Sequence, residues 1–169
     1  MEMFTPEVHH LRELYIETLK RTLCGERQIA SKGLPAMIDK ATNPDLVEAF
    51  RNHLVETTQH IARLERILNS DGEDADDFRC NVTSSLISST DSELIEAANK
   101  SIADVILIAA GSQIQHHEIA VYGTLRTWAE ILGESRDAAL LDKTLAEEET
   151  ADVLLTQLSQ RINVAVPVA

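Results

Sequence analysis

Apolar residues recur along this chain three and four positions apart, the period of helices that bury one face. The first such stripe is Val8, Leu11, Tyr15, Leu19, Leu23, Glu26 and Ala30, and Thr5 followed by Pro6 predicts its helix start. Gly33 and Pro35 in "SKGLPAM" predict a break or kink, followed by a short helix to about Ala41. Asn43 before Pro44 predicts a fresh start, and the second long helix carries Leu46, Ala49, His53, Glu56, His60, Leu64 and Ile67 on one face. "NSDGEDADDF", residues 69–78, reads as a solvated acidic loop, and "TDSE" at 90–93 as a capping box that opens a minor helix. A third long helix is expected from about Lys100 to Leu132, stopped by Gly133. Ser135 is the expected cap of a fourth, with the stripe Leu141, Leu145, Glu148, Asp152, Leu155 and Ser159, and the tail "NVAVPVA" is expected to fray or lie on the surface. Four long amphipathic helices and some short ones make an all-α helix bundle, read as a single domain over residues 1–169.

Composition sharpens this picture. With 169 residues the chain can bury a real core, and its 4% aromatic content leaves aliphatic residues to fill it. A formal charge of −13 argues against nucleic acid and anionic lipid as partners. The longest apolar run, "VILIAAG", is far too short to span a membrane, and "MEMFTPEVHH" lacks the regions of a secretory signal. Cys24 and Cys80 could pair, but two cysteines do not make a disulfide framework, so a cytoplasmic, reducing environment is expected.

The long helices carry acidic residues where apolar ones are expected. Glu26, Glu56, Glu118 and Glu148 each sit on an apolar stripe, with His60 and Asp152 one turn after Glu56 and Glu148. Glu26 and Glu56 are 56 − 26 = 30 residues apart, and so are Glu118 and Glu148, 148 − 118 = 30. A repeated helical hairpin would gather all six side chains at one centre. A single glutamate on a stripe is most often an edge residue; four, one per long helix, are read as metal ligands. Carboxylates with an imidazole suit iron or manganese better than structural zinc. His53 and His116 lie near the site in register and are read as supporting or packing histidines, and His117 as a surface residue. Tyr122, one turn past Glu118, is either plain core or a hydrogen-bond donor beside the metals. The "HHE" of 116–118 also raises an oxygen carrier of the hemerythrin type, but the additional histidine spacings such a site needs are missing.

Three stretches, "LPAMIDKATNPDLVEAFRNHLVETTQHIARLERIL", "HHEIAVYGTLRTWAEILG" and "LDKTLAEEETADVLLTQL", resemble the bacterial YciE/YciF family of the ferritin-like superfamily. The most specific part is "HxEIAxYGTLxxWAExLG", and the likeness runs from about Leu19 to Leu158. The resemblance implies a ferritin-like four-helix bundle with additional short helices, commonly a homodimer through helix faces, associated with bacterial stress responses. It places the family's carboxylates on Glu26, Glu56, Glu118 and Glu148, with position 60 and Asp152 completing the pattern. The leading expectation is a di-metal protein holding two iron ions, or manganese, and reacting with O2 or peroxide. The alternative is a non-catalytic helical dimer, an interaction module with a structural or vestigial metal site.

Overall fold

The computed structural model describes residues 8–73 and 80–167. The described residues form six α-helices: α1 (Leu11–Gln28), α2 (Leu34–Lys40), α3 (Pro44–Ser70), α4 (Asn81–Glu96), α5 (Lys100–Leu132) and α6 (Ser135–Ile162). No strand occurs among the described residues, and no helix there is long and apolar enough to cross a membrane. The long helices α1, α3, α5 and α6 make a four-helix bundle, with α2 and α4 as additional shorter helices packed against it.

Local chemistry fixes most of the boundaries. Asn43 caps α3 by accepting from the backbone N–H groups of Asp45 at 3.0 Å and Leu46 at 3.3 Å, and Pro44 follows it. Asn99 caps α5 by accepting from Ile102 N at 3.0 Å. Gly133 ends α5 at φ 79°, a left-handed conformation that costs a glycine nothing, and Glu134 N then donates back to Ala129 O at 2.9 Å. The link is so short that α5 and α6 return antiparallel and pack along their length. Gly33 and Pro35 act as expected: a π-helical turn over Ile29–Gly33 leads from α1 into α2.

Several boundaries differ from the sequence reading: α3 runs through Asn69 and Ser70, where the acidic loop was expected to begin, and residues 74–78 of that loop lie outside the described residues. The start expected at Thr5 and Pro6 lies outside the described residues; α1 begins only at Leu11, where His10 Nδ1 accepts from Glu13 N. Ser135 does not cap α6 but opens it, because the turn at Gly133 already directs its N–H to Gly133 O at 3.1 Å. The capping box at 90–93 does not start a helix, since α4 begins at Asn81 and Thr90 lies inside it. There the Thr90 and Ser92 hydroxyls donate one turn back, to Leu86 O and Ser88 O, so a run rich in Ser and Thr stays helical once packed.

Apolar packing falls into two clusters. One holds Tyr15, Leu19, Leu23, Leu64, Tyr122, Leu125, Leu141 and Leu145. The other holds Ile29, Leu46, Phe50, Leu107, Ile114 and Leu155. On every long helix the residue that separates them is polar. Glu26 lies between Leu23 and Ile29, His60 between Phe50 and Leu64, Glu118 between Ile114 and Tyr122, and Glu148 between Leu145 and Leu155. The bundle therefore has an apolar core interrupted by one polar layer.

Candidate metal centre

All four residues of that layer are buried: Glu148 and His60 are 0% exposed, Glu26 1% and Glu118 4%. His53, one face-turn before Glu56 on α3, joins them at 5%. The carboxylates and imidazoles converge in two sets that share Glu148. One ligand atom from each of Glu26, His60 and Glu148 falls within 4.8 Å of the others, and the same holds for His53, Glu118 and Glu148. His60 Nδ1 lies 3.1 Å from Glu148 Oε1 and 3.5 Å from Glu26 Oε1, and His53 Nε2 lies 3.7 Å from Glu148 Oε2.

The unpaired atoms show what the layer lacks. Apart from the histidine–glutamate ion-pair contacts just given, Glu26 Oε2, Glu118 Oε2, both oxygens of Glu148, His53 Nε2 and His60 Nδ1 are buried without a hydrogen-bond partner. Each such group costs roughly 1–3 kcal/mol, and more when charged, so a bare layer of this kind is expensive. The missing complement is positive. Oxygen and imidazole donors around two shared points fit hard divalent or trivalent cations, and neither cysteine belongs to either set.

Groups behind the layer orient it. His60 Nε2 is 3.1 Å from Glu147 Oε2, and Arg63 holds that carboxylate with NH2 3.0 Å from Oε1 while NH1 donates to Thr144 Oγ1 at 2.9 Å. A neutral His60 that gives its Nε2 proton to Glu147 turns the Nδ1 lone pair toward Glu26 and Glu148. His53 repeats the arrangement, with Nδ1 3.5 Å from Glu56 Oε2 and Nε2 toward Glu148. The Tyr122 hydroxyl donates to Glu26 Oε1.

Electrostatics follow from burial and crowding. Burial, with Glu148 and Glu26 close by, pushes the Glu118 carboxyl well above its usual range. Burial and the Glu26 carboxylate likewise raise the Tyr122 phenol, which stays a donor. Burial alone would lower His60, but Glu148 and Glu26 outweigh it and raise it to about 10. His53 is raised too: burial opposes the proton, while Glu56 and Glu148 favour it. A cation bound among the carboxylates would displace the protons these imidazoles otherwise hold.

Not every residue singled out by spacing reaches the centre. Glu26, His60, Glu118, Glu148 and Tyr122 meet there. The Glu56 side chain is 39% exposed, stands at the rim beside His53, and belongs to neither set. Asp152 is outside both as well; its carboxylate lies 3.2 Å from Nδ1 of His116, whose side chain is 67% exposed. Sequence reasoning gave His53 a supporting place, but its Nε2 faces Glu148 like a ligand atom. It also passed over Glu147 and Arg63, although Glu147 adjoins Glu148 and Arg63 follows His60 by three positions.

Two openings lead inward. A cavity of about 310 Å³ between α1, α4 and α5 reaches Glu26 and Glu118 past Thr18, Thr22, Cys80 and Thr83. A smaller one, about 160 Å³, is lined by His53, Glu56 and Gln115 on the opposite side. Removing the Tyr122 hydroxyl is a direct probe of the layer. Tyr122→Phe strips a buried carboxylate of its donor, which should cost about 1–3 kcal/mol. The urea midpoint with chelator present measures this, and an unchanged midpoint would mean that Glu26 does not depend on the phenol.

A four-helix bundle crossed by a buried layer of carboxylates and imidazoles is the class that fold and site together define. The chain belongs to the family described as Domain of unknown function (DUF892), which it matches over residues 10–165. It is 35% identical over 151 residues to Protein YciF of Escherichia coli (strain K12), covering 88% of this chain and 90% of that protein. The crystal structure of the E. coli stress protein YciF superposes with a TM-score of 0.86 at 33% identity, over 92% of this chain and 98% of that one. YcfI of Rhodopseudomonas palustris gives a TM-score of 0.86 at 34% identity, over 91% and 98% of the two chains. A Xanthomonas campestris protein shares the fold with a TM-score of 0.76 at 22% identity. The YciF-like membership expected from the sequence motifs is thereby shown.

Proposed function

We propose that the protein is a ferritin-like di-metal protein of the bacterial stress response, holding two ions of iron, or of manganese, about Glu148. The observation that carries this reading is the set of unpartnered buried carboxylate and imidazole atoms grouped in two clusters with Glu148 common to both. Glu26 and His60 would complete one ion's set, and Glu118 and His53 the other's. Glu56, half-exposed at the rim of the smaller opening, is placed to meet a cation and pass it inward. Asp152 with His116 marks the outer edge of the same helix faces. Such ions would supply one-electron redox chemistry toward O2 or peroxide, while the chain's part is to bind, orient and exclude water. The E. coli relative's description as a stress protein supports the physiological side of the reading.

Elemental analysis of the purified protein tests the binding claim: about two iron or manganese atoms per chain are expected, and a metal-free protein that also fails to take up added Fe(II) anaerobically would defeat it. The full burial of Glu148 and His60 favours a second reading, a structural metal site in a helical dimer. Stopped-flow oxidation of added Fe(II) separates the two, because a structural site gives no acceleration over buffer. A cytoplasmic homodimer through helix faces is part of the proposal, and light scattering on the eluting species measures its mass.

A further inference from the structure

The larger cavity carries chemistry that cation binding does not use. Cys80 stands on its wall, half-buried, at the residue that caps the N-terminus of α4. Its Sγ lies 3.1 Å from the hydroxyl of buried Thr83, and His117 lines the same cavity. Gly25 makes this seat possible. A Cβ there would lie 2.8 Å from Thr83 Oγ1 and 3.4 Å from the thiol, so α4 could not approach α1 so closely. The inner wall is formed by Glu26 and Glu118, both more than nine-tenths buried, each with an unpartnered Oε2.

We propose that Cys80 is a peroxide-reducing thiol, and that hydrogen peroxide entering the cavity between α1, α4 and α5 oxidises its sulfur to the sulfenic acid. The thiolate sulfur attacks one peroxide oxygen; an S–O bond forms as the O–O bond breaks. Sulfur loses an electron pair, and the departing hydroxide takes a proton and leaves as water. A low-molecular-weight thiol in solution then condenses with the S–OH group, releasing water and leaving a mixed disulfide.

The surroundings suit this reaction and this oxidant. Burial alone would raise the thiol, but the neighbouring His117 imidazole and the Thr83 hydroxyl outweigh it and draw it down to about 7. The N-terminus of α4 favours the same negative charge. The lining sets the Glu26 and Glu118 carboxyl groups beside Arg21 and His117, and neutral peroxide finds O–H acceptors on the Thr18 and Thr22 hydroxyls. A volume of about 310 Å³ is ample for so small a molecule.

The inference goes beyond the metal reading and stands whether or not cations bind. The test uses the reduced, full-length protein in chelator, exposed to equimolar hydrogen peroxide with dimedone as the sulfenic-acid trap and read by peptide mass spectrometry. Cys80 is expected to label at least about tenfold faster than Cys24. Cys24→Ser should leave the Cys80 rate unchanged. His117→Gln should slow it by about fivefold at neutral pH with its circular dichroism intact, and the rate should recover at about pH 9, which a merely structural role would not produce. Labelling of Cys80 no faster than Cys24, or a rate indifferent to His117→Gln, overturns the proposal.

Discussion

Replacing Glu148 by alanine is expected to empty both cation positions, whereas Glu26→Ala and Glu118→Ala should each leave about one ion per chain. The asymmetry follows from the two ligand sets, which have only Glu148 in common. Losing Glu26 leaves His53, Glu118 and Glu148 together, and losing Glu118 leaves Glu26, His60 and Glu148. Losing Glu148 leaves two pairs, and two protein ligands rarely hold a hard cation against water. Stability reports the same event. An ion at a thousandfold over its Kd stabilises the folded chain by about 4 kcal/mol, worth about 10 °C in Tm for a chain of this size. That metal-dependent rise should be present in the wild type and absent from Glu148→Ala. Comparing each protein with and without chelator keeps the result clear of the variant's own effect on folding, because Glu148 also lies against His60. Full metal content in Glu148→Ala would sink the shared-ligand arrangement.

The long helices and the polar layer were legible because a helix repeats its face every three or four residues, and a glutamate on that face has few neighbours to choose from. Glu26, Glu118 and Glu148 follow from that rule alone. Glu56 shows its limit. It shares a stripe with Leu46, His53 and His60, yet Thr57 is the buried neighbour and Glu56 turns toward solvent. Register fixes a direction to within about a quarter turn of helix, and a long flexible side chain at the edge of a stripe can go either way. Asp152 has the same difficulty, and a short aspartate at a stripe edge reaches less far inward than a glutamate. The start of α4 was illegible for another reason. Capping residues inside a helix look identical in sequence to caps at its end, and only the packing of Thr83, Leu86 and Thr90 on the bundle decides between them.

Asp104 was the least legible residue of all, and replacing it should have a large effect on stability that does not depend on metal. In sequence it is a single aspartate in the apolar half of α5. In the structure it is 4% exposed and holds the turn between α2 and α3 from 62 residues beyond Thr42. Thr42 donates its N–H to Oδ1 at 2.7 Å and its hydroxyl to Oδ2 at 2.7 Å, and Asn43 donates its N–H to Oδ2 at 3.0 Å. These bonds seat Asn43, which in turn caps α3, the helix that carries His53 and His60. Asp104→Ala leaves three part-buried donors on Thr42 and Asn43 without their charged acceptor and loosens that cap, for an expected loss of about 3 kcal/mol, or about 9 °C in Tm. Asp104→Asn keeps one acceptor oxygen and should recover part of the loss. Equilibrium unfolding in urea, monitored by circular dichroism with chelator present, gives both numbers. A loss below about 1 kcal/mol in Asp104→Ala would mean that water replaces the carboxylate and that the turn is held by its own residues.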